Sequence, residues 1–192
     1  MLKNVDEKMK LVINKNSIRK VHVISLFDSI VFKQDRPFVI CDIDETLLYL
    51  DSNVGYNVHF PLFYNKHSSL LNGSNYNVDP LVRSIFPTDI SGFRRLEHRI
   101  SSLGGKLIFL TARSSNGYKY VVEDFLKIGL DASNYEIHYT GNVITKGQYI
   151  RDRIDVSGYN DLYFIDDLQD NIVSVCHCFP QAHLYLFRRF PL

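Results

Sequence analysis

Phe38-Val39-Ile40-Cys41-Asp42-Ile43-Asp44-Glu45-Thr46-Leu47-Leu48 passes from four apolar residues straight into two carboxylates two positions apart. A continuous apolar run, unlike an alternating one, is what a strand covered on both faces requires. Carboxylates crowded at the end of such a strand repel one another and lose hydration, so a cation or a chemical task must hold them there. Three more runs share the design: Leu107-Ile108-Phe109-Leu110, Leu162-Tyr163-Phe164-Ile165 and His183-Leu184-Tyr185-Leu186-Phe187, with Tyr135–Tyr139 a weaker one.

Helical patterns lie between the runs. Ile90, Phe93, Leu96, Ile100 and Leu103 recur at helical spacing and stop at Gly104-Gly105. Val121, Val122, Phe125 and Leu126 make a second stripe ending at Gly129, Tyr149, Ile150 and Ile154 a third, and Ile172, Val173 and Cys176 a fourth. A further helix is expected from Ser25-Leu26-Phe27-Asp28, with Leu26, Ile30 and Val31 on one face, ending before Arg36-Pro37. Strand–helix alternation predicts an α/β fold, a doubly wound, Rossmann-like parallel sheet of about five strands with helices on both faces. Ligands of such a sheet sit beyond the carboxyl ends of the strands. Residues 1–20 are basic and weakly patterned, a loose arm or an edge element. Residues 49–87, rich in Asn, Ser, Gly and Tyr, interrupt the rhythm and are expected to form a small cap over the site.

With 192 residues, the chain is expected to be a single domain. A hydrophobic share of 45% against 22% charged excludes a disordered chain. A net charge of +1 offers no global attraction to nucleic acid or anionic membrane. No apolar run approaches the ~18 residues of a membrane span. Met1–Asn16 is charged, without an apolar stretch of signal-peptide length. Three cysteines cannot pair completely, and Cys176-His177-Cys178 lacks both the gap and the second pair of a zinc site. A cytoplasmic location follows as an expectation.

Each polar feature of interest follows a strand: Asp42 and Asp44, then Thr111-Ala112-Arg113, then Lys146 after Thr140, then Asp166-Asp167-Leu168-Gln169-Asp170-Asn171. Brought to one sheet edge, they would supply carboxylate oxygens for a hard cation, and a hydroxyl and an ammonium for a phosphoryl group. A carboxylate can itself attack phosphorus.

This ordered set resembles the four-motif pattern of haloacid dehalogenase (HAD) superfamily phosphohydrolases, from about Phe38 to Phe187. The D-x-D-x-T wording is similar to the phosphatase and phosphotransferase branch. Leu110–Arg113 and Ile165–Asp167 resemble a less characterised group of HAD-like proteins. The resemblance implies that Asp42 attacks phosphorus and that Asp44 serves as acid and then base. It implies Mg²⁺ held by the carboxylates of Asp42 and Asp166 and the backbone carbonyl of Asp44. Thr111 and Lys146 would bind the phosphoryl group of a phosphorylated substrate, and Thr46, Asp167, Asp170 and Asn171 would support them.

Plainer readings stand beside these: Thr111 or Asp170 as a helix cap, Lys146 as a solvated helix start, and Arg113 as an exposed salt bridge rather than a substrate contact. Of His59, His67 and Tyr56 in the cap segment, one could touch substrate, though such residues more often serve the fold. Competing functions are a phosphoprotein or nucleic-acid-end phosphatase, a phosphotransferase, and a catalytically idle binding module. A phospho-accepting receiver domain is disfavoured by the D-x-D doublet and the insertion behind it.

Overall fold

The computed structural model describes residues 10–14, 17–50 and 85–189. Among them are strands β1 (Lys10–Asn14), β2 (Ser17–Ile24), β3 (Pro37–Cys41), β4 (Leu48–Leu50), β5 (Ile85–Pro87), β6 (Lys106–Thr111), β7 (Glu136–Tyr139), β8 (Asp161–Asp166) and β9 (His183–Phe187). The helices are α1 (Ile90–Ser102), α2 (Tyr118–Lys127), α3 (Lys146–Arg153) and α4 (Gln169–Cys178). All four predicted helical stripes are helices. α1 ends as its glycines require: Gly104 takes φ 65°, its N–H reaches Ser101 O, and Gly105 N–H reaches Ile100 O.

Seven strands form one sheet in the order β1-β2-β9-β8-β3-β6-β7. All neighbours run parallel except the β1–β2 hairpin, so six strands make a parallel sheet, as in a Rossmann-like fold. β3 lies between β8 and β6, so the ends of these three strands are adjacent. Successive strand residues divide between two buried clusters. Val39, Cys41, Phe109, Ile165 and Phe187 pack with Phe93 and Leu96 of α1 and Phe125 of α2. Phe38, Ile40, Ile108, Phe164 and Leu186 pack with Ile150 of α3 and Ile172 and Val175 of α4. Each such side chain contributes ~1.5–3 kcal/mol when fully buried.

Two expectations need correction. The sheet exceeds about five strands because the described part of the expected arm, residues 10–14 and 17–20, lies in β1 and β2. β2 joins β9, with Val21 facing Leu184 and both nearly fully buried. That pairing is non-local and left little local pattern. The helix expected from Ser25 is only a 3₁₀ turn, Phe27–Ser29, with Leu26 and Val31 more than half exposed. Tertiary contacts take over the backbone there. Phe27 packs on Phe93 and Phe187, Asp89 accepts the Phe27 N–H at 3.0 Å, and Arg99 donates to the carbonyls of Phe27 and Ile30.

β4 and β5 form a separate antiparallel pair in which Tyr49 faces Phe86. Otherwise the expected cap over 49–87 lies outside the described residues, as do His59, His67 and Tyr56. No described helix is long and apolar enough to cross a membrane.

Candidate active site

Asp42 is the first residue beyond β3, and its N–H donates to Ile165 O at 2.9 Å, extending the pairing with β8 past the strand end. Asp166 closes β8, and Thr111 closes β6. Lys146 opens α3, whose start is set by Thr145 in a capping box with Gln148. Parallel strands therefore deliver all four residues to the same edge of the sheet.

There the Lys146 ammonium donates to Asp42 Oδ1 and, at 2.7 Å, to Asp166 Oδ2. Lys146 is 2% exposed, Asp42 4% and Asp166 0%, so this is a buried charge cluster, not a solvated helix start. Asp166 also accepts from Leu168 N–H at 2.8 Å and from the Asn171 amide at 3.0 and 3.1 Å. Burial pushes the Asp42 carboxyl up to about 7; the charges of Asp166 and Asp44 add to this, and Lys146 opposes it. Burial, then Asp42 and Asp166, push Asp167 up to about 9. Burial works against the Lys146 charge, but Asp166 and Asp42 outweigh it and hold the ammonium above the ordinary lysine value.

Carboxylate oxygens of Asp42, Asp166 and Asp167 lie within 4.8 Å of one another. An all-oxygen, acidic donor set of this kind fits a hard divalent cation. The Asp167 side chain thus joins the cluster more closely than a supporting role implies. Asp44 turns elsewhere. Arg113 grips its carboxylate from two nitrogens, Nη2 to Oδ1 at 2.5 Å and Nε to Oδ2 at 2.9 Å, while the Thr111 hydroxyl reaches Oδ2 at 3.4 Å. Arg113 Nη1 donates to Asp124 Oδ2 at 2.8 Å.

Arg113 is therefore not an exposed salt bridge, since its side chain is only 14% exposed and Asp124 is 3%. Its position two residues after the end of β6 was a usable signal; Asp124, inside an amphipathic helix, offered none. Thr111 is not a helix cap: it accepts from Arg113 N–H at 3.1 Å. Asp170 is exposed in the first turn of α4, behind Leu168 at the cap position. Thr46 is fully buried.

Two C-terminal arginines brace the loops, also unforeseen. Arg188 donates to Asp167 O at 2.7 Å, and Arg189 lies over the Tyr49 ring with Glu45 at 3.7 Å. Glu45 itself holds φ 59°, a left-handed conformation uncommon for its residue type.

A groove of about 330 Å³ opens beside the cluster, lined by Thr140, Asn142, Val143, Gln148, Asp170 and Lys146 itself. A cleft of about 400 Å³ along α1 is larger, but its arginines engage Asp28 and backbone carbonyls, and among the described residues no carboxylate cluster meets there. No family model matches the chain, and no curated protein matches it.

Proposed function

We propose that this protein is a Mg²⁺-dependent phosphatase of the HAD type, hydrolysing a phosphomonoester through a phosphoryl group carried on Asp42. The observation that carries the reading is the buried contact of Lys146 with both Asp42 and Asp166, with Asp44 two residues beyond the attacking carboxylate. Two buried carboxylates sharing one buried ammonium are costly as scaffolding. They are well suited to gathering a phosphoryl group.

In the proposed reaction an oxygen of Asp42 attacks phosphorus, the bond to the leaving oxygen breaks, and that oxygen takes a proton from Asp44. Asp44 then takes a proton from water, which attacks the aspartyl-phosphate, breaks its P–O bond and releases inorganic phosphate. Thr111 and Lys146 would donate to the equatorial oxygens throughout. Asp42, Asp166 and Asp167, with the Asp44 carbonyl, would hold Mg²⁺. Bound there, the ion would neutralise phosphoryl charge. Asn171 and Leu168 N–H would keep Asp166 aimed at that position.

The same reading makes the sheet doubly wound, covered by helices on both faces, as the two clusters of alternate strand residues support. It gives residues 49–87 the part of a cap and the protein a cytoplasmic setting. The test is a panel of phosphorylated metabolites, nucleotides, phosphopeptides and 3′-phosphorylated oligonucleotides assayed with Mg²⁺. Turnover of at least one class, abolished in Asp42→Asn, is the expected result. Full turnover in excess chelator, or in Asp42→Asn with contamination excluded, overturns the reading.

A further inference from the structure

We infer that Arg113, braced by Asp124, is a positioning residue that aims the Asp44 carboxylate in the phosphoryl-transfer reaction. The inference rests on the phosphatase reading above.

Asp44 opens the tight turn of residues 44–47, whose next residue, Glu45, already holds a left-handed backbone. An aspartate has two side-chain torsions, and the Thr111 hydroxyl at 3.4 Å is too distant to fix them. The guanidinium fork fixes both carboxylate oxygens at once, which determines the plane of the carboxylate as well as its direction.

Arg113 is itself held at three points. Its backbone N–H donates to Thr111 Oγ1, its stem is largely buried, and Nη1 is tied to Asp124 on α2. Thr111 and Asp124 thus hold Arg113, and Arg113 holds Asp44. The direction of the acid–base group is then referred to the end of β6 and to the buried face of α2. Lysine cannot reproduce this, because one ammonium has no planar fork to span two carboxylates in fixed geometry.

Arg113→Lys keeps the charge and removes the fork. Steady-state kinetics of parent and variant should be compared across phosphomonoesters whose leaving groups range from nitrophenols to simple alcohols. If Arg113 aims Asp44, kcat/KM, which reports formation of the aspartyl-phosphate, falls on the order of ten- to a hundredfold for alkyl esters, which need a proton from Asp44. For nitrophenyl esters, which depart without one, the fall in kcat/KM is severalfold at most, while kcat still drops because Asp44 must also activate the hydrolytic water. Asp124→Asn, which retains an acceptor for Nη1, should show the same pattern more weakly. In an Asp44→Asn background, Arg113→Lys should lower kcat no further, because the two residues act as one unit.

An equal loss of kcat/KM for all leaving groups, or a loss that persists undiminished in the Asp44→Asn background, would mean that Arg113 only supports the fold and would overturn the inference. So would an Arg113→Lys protein indistinguishable from the parent while Asp42→Asn is dead. A parent protein without Asp42-dependent turnover would instead remove the phosphatase reading, and this inference with it.

Discussion

Asp42 and Lys146 owe their interest to being ionisable groups almost wholly buried together, and holding them charged costs several kcal/mol per ion unless the partners are in place. Removing one side of the arrangement should therefore have unequal effects. Lys146→Met leaves Asp42 and Asp166 facing one another without their shared cation. We expect a loss of ~3–5 kcal/mol in denaturant unfolding without added metal, together with loss of turnover. Asp42→Asn relieves carboxylate crowding and should melt within a few degrees of the parent while losing all turnover. Asp44→Asn keeps the nucleophile. With an activated aryl ester it should accumulate a covalent phosphoryl adduct, visible after acid quench as a mass increase on a peptide containing Asp42, because acid–base help is worth ~10²–10⁴-fold. A quenched Asp44→Asn sample without adduct, from a variant that still turns over, would contradict that division of labour.

Between α3 and α4 the site depends on a single close approach. A Cβ on Gly147 would lie 2.1 Å from Ser174 O, a backbone atom that cannot rotate away. Gly147 N–H also donates to Ser174 Oγ at 3.1 Å, and Ser174 Oγ donates in turn to Asn171 O at 2.8 Å. The helix contact thus ties Lys146, beside Gly147, to Asn171, which grips Asp166. Gly147→Ala should push the helices apart, with a stability loss of at least ~1–3 kcal/mol, as overpacking in a closed core entails. Its activity loss should exceed that of Ser174→Ala, which removes one hydrogen bond but leaves the approach intact. Circular dichroism melts with parallel phosphatase assays would decide it, and an unperturbed Gly147→Ala protein would show that the helices adjust freely.

Across the molecule, the parallel strands gather Asp42, Asp166 and Asp167 at one edge, and on the proposed reading this couples stability to pH and to a bound metal. Asp42 and Asp167 bind protons more tightly folded than unfolded, at about 7 and about 9 against an ordinary 3.8. A raised folded value means stability that is fully present below the ordinary carboxylate range and lost as pH rises through the folded values. Thermal stability in chelator should therefore decline from about pH 4 towards pH 9 for this pair of groups, and Asp167→Asn should flatten the decline. Mg²⁺, binding the ionised cluster, should raise the melting temperature most at the alkaline end, by about 2.7 kcal/mol of stability at a hundredfold excess over Kd. A melting temperature indifferent to Mg²⁺ at pH 8.5 would count against the cation site.

The parallel strands and the α-helices between them were legible in the chain because their causes are local: continuous apolar runs at Phe38–Cys41, Leu107–Leu110 and Leu162–Ile165, and helical stripes that stop at Gly104 or Gly129. So was the gathering of Asp42, Thr111, Lys146 and Asp166, since residues that follow parallel strands must emerge at one edge. Contacts between distant segments were not legible. β2 is a strand because β9 offers it hydrogen bonds and cover, and Phe27–Ser29 stops at one 3₁₀ turn because Asp89 and Arg99 satisfy its backbone. Arg113 looked like a surface residue until Asp44 and Asp124, far apart in sequence, converged on it. Local pattern depends on which face of an element is apolar. The partner that meets a polar group is set by where the chain returns, and only the assembled sheet and helices settle that.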